Sequence, residues 1–176
     1  METSTVDIWN AIGTWISGLG TIGAVITSLW LANNNNKIKL KIKVNSSILI
    51  DTFTKEKQEV CHIEIVNICT RNVKINAIGW EIKRGKIKQN FYQKTDGSLS
   101  SKLPLTLNEG EDISIALDFK HGDWLKLMAK HLKGYDIKDL KLIVVTNIEN
   151  FKCNIDNSLI EALKQERKRL ADMENN

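Results

Sequence analysis

Three histidines, three cysteines and a few closely spaced carboxylates are the side chains here with the chemistry for acid–base, nucleophilic or metal work. Asp118, His121 and Asp123 fall within six positions, and a carboxylate beside an imidazole is the commonest device for moving a proton. That loop precedes a helical pattern, so its composition reads as a cap with solvent contacts. Cys61 and His62 are neighbours on a stretch of strand character. Adjacent strand side chains point to opposite faces, which argues against shared metal ligation. The tripeptide Cys69-Thr70-Arg71 reads as a turn. The sequence holds no Cys-x-x-Cys pair, Gly-rich phosphate loop, nucleophile elbow or His-Glu-x-x-His. The expectation is a protein with no enzymatic activity, catalytic residue, metal or cofactor.

A nucleic-acid reader is also not expected. Lys and Arg total 25 against 21 Asp and Glu, a net charge of +4. The basic residues are mostly lysines spread along the chain, whereas a specific reader concentrates arginines or stacking aromatics. The abundance of Lys, Asn and Ile matches the codon bias of an AT-rich genome.

The elements that position these groups begin with Ile8–Ala32, a run without a charged residue. As a helix it spans about 37 Å, against a hydrocarbon core of ~30 Å. Trp9 and Trp30 lie near its ends, about 31 Å apart, as an aromatic belt requires. The preceding METSTVD is acidic, the run is long for a cleaved signal, and Trp30 occupies a position where cleavage wants a small residue. The segment is therefore expected to stay as a transmembrane helix that contacts the lipid bilayer. Lys37, Lys39, Lys41 and Lys43 follow it closely, which predicts an outward N-terminus and a cytoplasmic remainder in a bacterial inner membrane. Three irregularly spaced cysteines suit that reducing compartment, where the acceptor motif Asn45-Ser46-Ser47 carries no glycan.

Residues 1–7 then form a tail, 8–32 the transmembrane helix and 33–36 a polar hinge of four asparagines. Beyond it, Ile38, Leu40, Ile42 and Val44 alternate with the four lysines, a half-buried strand with a basic outer face. Alternation or short apolar runs recur at 59–67, 72–83, 86–92, 103–107, 112–119, 140–146 and 150–155, separated by turn residues. About eight short strands and no strand–helix alternation predict a mainly β protein, an antiparallel Ig-like β-sandwich over 37–156. Trp80, alternating with Ile78 and Ile82, is expected at its centre. One inserted helix is predicted from Trp124, Met128 and Leu132 at four-residue spacing, with Asp123 as N-cap and Gly134 as stop. A C-terminal helix and tail over 157–176 is announced by the capping-box pattern Ser158-Leu-Ile-Glu161, with Leu159, Leu163 and Leu170 as a narrow stripe.

The membrane helix has a face of its own. Gly13, Ser17, Gly20, Ala24 and Ser28 supply one small residue per turn, a spacing that lets two helix backbones approach closely. Thr14, Thr21 and Thr27 add hydroxyls able to bond across such a contact. The expected partner is a second copy of the chain or another protein.

Three stretches, WNAIGTWISGLGTIGAVITSLWLA, VNICTRNVKINAIGWEIKRG and LPLTLNEGEDISIALDF, resemble a loose set of uncharacterised small membrane-anchored proteins of bacteria and their prophages. The middle block matches the pattern of that set at Arg71, Asn72, Val73, Ile75, Ile78, Gly79 and Trp80, and the last at Leu103, Pro104, Leu107, Gly110 and Glu111. A proline that the pattern places after Arg71 is missing, which affects only a turn. The resemblance reaches to about residue 155 and implies one membrane helix followed by a cytosolic β-domain, without an activity. Two functions follow as expectations. One is a membrane-tethered binding or scaffold module in a phage-related or anti-phage defence system; the other is an oligomeric effector that perturbs the bilayer.

Overall fold

An uncharged run offers no polar break to a helix, and α1 accordingly spans Thr3–Asn35. The computed structural model describes residues 3–35, 37–50, 55–85, 87–94, 101–120 and 123–174. It falls into two compact units, Met1–Lys37 and Ile38–Asn176. In the first unit, α1 is long and apolar enough over Asp7–Asn34 to cross a membrane, and its apolar side chains are exposed. The helix outruns the Ile8–Ala32 segment at both ends. Asn33, Asn34 and Asn35, read from the sequence as a hinge, are helical, and Asn36 lies outside the described residues.

Among its described residues the second unit contains eight strands: β1 (Leu40–Ile50), β2 (Lys57–Asn67), β3 (Val73–Arg84), β4 (Ile87–Gln93), β5 (Leu105–Leu107), β6 (Asp112–Asp118), β7 (Lys141–Thr146) and β8 (Asn150–Asn154). Helix α2 (Trp124–His131) lies between β6 and β7, and α3 (Asn157–Glu174) follows β8. The strands form two antiparallel sheets, ordered β1-β2-β6 and β4-β3-β7-β8, with β5 paired to the start of β3. The mainly β expectation holds in that form. Period-two alternation explains the strands: Ile63 and Ile65 of β2 and Ile113 and Ile115 of β6 face inward, and the residues between them face out.

One irregularity keeps β3 in register with the core. Ile75 pairs with Thr146 and Ala77 with Val145, so Asn76 is an extra residue in the strand. Such a bulge shifts the alternation by one. Val73 and Ile75 before it, and Ile78, Trp80 and Ile82 after it, are therefore all buried. Both sheets and both helices of the unit meet in one apolar cluster around fully buried Trp80, which lies across from Leu142 on β7 and Phe91 on β4. Trp124 of α2 stacks with Phe119 and tilts against Trp80, with centroids 5.8 Å and 5.5 Å away.

Two helix caps differ from the sequence reading. Asp123 is in the left-handed region (φ 49°) and its side chain makes no capping bond, so α2 is set by its buried aromatic contacts. Gly134, at φ +87°, ends that region as expected. For α3 the cap is Asp156, whose carboxylate accepts from the Ser158 N–H at 2.9 Å. That bond holds the Asp156 carboxyl below its usual range. The Ser158 hydroxyl instead accepts from the Ser46 N–H of β1 (3.1 Å), and Glu161 pairs with Lys164. Local spacing suggested a box; a contact more than a hundred residues away in sequence uses the serine.

Candidate functional site

The groups with chemical potential are held apart. Asp118 accepts from the Lys120 N–H (2.8 Å) and from the Gln58 side chain, which makes it a brace of its own loop. His121 lies outside the described residues. His62 bonds the Ser114 hydroxyl (2.7 Å) on the outer face of the β1-β2-β6 sheet, and His131 bonds the Leu127 carbonyl (2.9 Å). Cys61, one residue from His62, is fully buried on the other face, and desolvation raises its thiol far above the ordinary range. Among the described residues no three His, Cys, Asp or Glu side chains gather as metal ligands would.

In the two β-domain blocks, individual residues have structural roles. Gly79 is required because a Cβ there would meet the Phe91 carbonyl oxygen at 2.7 Å, and Tyr92 covers the space above it. Gly110 turns at φ +76°, and the Glu111 carboxylate accepts from the backbone and side-chain N–H groups of Asn108 at 2.8 and 3.0 Å. Those two bonds lower the Glu111 carboxyl.

Sequence reasoning missed Asn67, whose polar atoms are all bonded. Its side-chain amide donates to the carbonyls of Arg71 (2.8 Å), Leu107 (3.1 Å) and Asn108 (3.1 Å). Its side-chain oxygen accepts from the Cys69 N–H (3.1 Å) and thiol (3.0 Å). Its backbone bonds Glu111 and Gly110. Full burial with every polar atom engaged makes Asn67 the clasp that joins the β2–β3 loop to the β5–β6 turn. Also missed were the buried Glu81, whose carboxyl is held low chiefly by the hydrogen bond from Lys152, and Arg167. The Arg167 guanidinium donates to the carbonyls of Leu132 and Tyr135 after α2. All three depend on partners distant in sequence, and no local pattern marks them.

What remains as a site is surface. Lys39, Lys41 and Lys43 point outward around β1 while Ile38 and Val44 are buried, as the alternation predicts; Lys37 is exposed too, and Lys43 pairs with Glu64 at 3.4 Å. On α1, Trp9 and Trp30 are exposed near the two ends. Gly13, Ser17, Gly20, Ala24 and Ser28 are exposed along it, and no atom approaches where a Cβ on Gly13 or Gly20 would sit. The hydroxyls of Thr14, Thr21, Thr27 and Ser28 donate within the helix, to carbonyls four residues back at 2.7–2.9 Å. They satisfy themselves locally and leave only lone pairs for a neighbour. Compared with protein families, curated proteins and solved structures, the chain finds no match. The functional reading therefore stands on this geometry.

Proposed function

We propose that the chain is a single-pass, membrane-anchored, non-enzymatic binding or scaffold protein, with α1 in a bacterial inner membrane and the β-domain in the cytoplasm. The observation that carries this reading is α1, an uncovered helix of spanning length joined to a separately cored β-domain. The lysines Lys37, Lys39, Lys41 and Lys43 support the orientation. We read the β-domain as an immunoglobulin-like sandwich. Its sheets follow the A-B-E and C′-C-F-G strand orders, with Trp80 on the third strand where that fold buries a tryptophan. The fourth-strand position departs from the pattern, since β5 pairs with β3 instead of β6. The phage-related or defence setting rests on the sequence resemblance.

The uncovered small-residue face of α1 favours a second reading, an oligomer that perturbs the bilayer. Size in mild detergent and dye leakage from liposomes separate the two. A monomer or a stable non-leaking complex fits the tether, and an assembly that releases dye overturns it in favour of the effector.

A further inference from the structure

The end of the β-domain that follows α1 carries the β2–β3 and β7–β8 loops, each with an exposed isoleucine. The Ile68 N–H donates to the Lys39 carbonyl at 3.1 Å, which sets the β2–β3 loop beside the first residues of the domain. A small apolar cluster of Ile38, Cys69 and Val73, with Phe151 against it, brings the base of the β7–β8 loop to the same place. In these loops Ile68 is 54% exposed and Ile148 56% exposed. Neither exposure is a loose end. Ile68 lies between buried Asn67 and buried Cys69, which bond each other. Ile148 sits on a turn braced by Thr146, whose hydroxyl donates to the Glu149 carbonyl (2.7 Å) and accepts from the N–H groups of Ile148 and Glu149.

We propose that this loop end rests on the bilayer with Ile68 and Ile148 set among the lipid headgroups, so that the β-domain is docked and does not swing on its tether. The inference rests on α1 being a membrane anchor. Only Asn36 and Lys37 separate α1 from Ile38, a reach of about 10 Å, so the bilayer surface is the apolar environment this end meets first. Lys39, Arg71 and Lys74 are exposed at this end together with Glu109 and Glu149, so charges of both signs surround the two isoleucines. The opposite end of β1 supplies a comparison. Ile48 is just as exposed, but lies at the far end of an eleven-residue strand.

The test uses the full chain in phosphatidylcholine–phosphatidylglycerol vesicles containing brominated lipid. Ile68→Cys, Ile148→Cys and Ile48→Cys each receive an environment-sensitive fluorophore, and labelled parent protein corrects for Cys153. Docking predicts a blue shift and loss of emission at 68 and 148, with neither at 48. Probes at 68 and 148 that behave like the probe at 48, on protein that floats with the vesicles, overturn the docking and leave the anchor standing; the two isoleucines are then free for a protein partner. Protein that fails to float overturns the anchor, and the docking with it.

Discussion

Asn67 shows how much of this domain depends on single polar residues. An aspartate in its place keeps the shape but cannot donate to the three carbonyls that the amide reaches. Asn67→Asp is expected to cost about 1–3 kcal/mol, measured by urea unfolding, and more at neutral pH than in acid, where protonation restores one donor. Trp80→Ala empties the centre of the core and should cost about 3–5 kcal/mol. A Trp80→Ala variant that melts with the parent would place the tryptophan outside the core. Glu81 gives the pH dependence. Its folded carboxyl is lowered by the Lys152 hydrogen bond, so the stability it adds is present above the ordinary glutamate range and is lost as pH falls through the lowered value. Glu81→Gln should therefore flatten the acid side of the stability profile, and an unchanged profile would show that the pair contributes nothing.

At the scale of elements, the strands were legible because each alternates on its own. Lys37–Val44 showed its two faces directly; the other seven expected strands are present to within about two residues, while β1 begins at Leu40 and runs on to Ile50, well beyond Val44. The Asn76 bulge was not legible, since it is defined by the register with β7. Nor were the caps of α2 and α3, where Trp124 packing and the Ser158–Ser46 bond outweighed local signals. For the surface candidates, the lysines and the small residues were visible in the sequence. Ile68 and Ile148 were not, because two distant turns come together only in the fold. Helix α1 carries its own prediction. Gly20→Ile with Ala24→Ile keeps it apolar but adds bulk at the middle of the small-residue face. The double variant should remain in the membrane fraction and lose its crosslinked oligomer or partner; unchanged crosslinking would reduce α1 to a plain anchor.

The whole molecule joins a helix with an apolar surface to a β-domain with a core of its own. The β-domain has its own core, two sheets closed by α2 and α3, and needs water outside. Helix α1 exposes Trp9, Ile16, Leu19, Ile26 and Leu29 along its length. Bilayer hydrocarbon is the environment in which such a surface costs nothing. The most direct measurement is fractionation of the full chain through an alkaline carbonate wash, beside a chain lacking residues 1–37. The full chain is expected to stay in the washed membrane pellet and the shortened chain to appear folded in the supernatant. A full chain released by carbonate would contradict the membrane anchoring of α1.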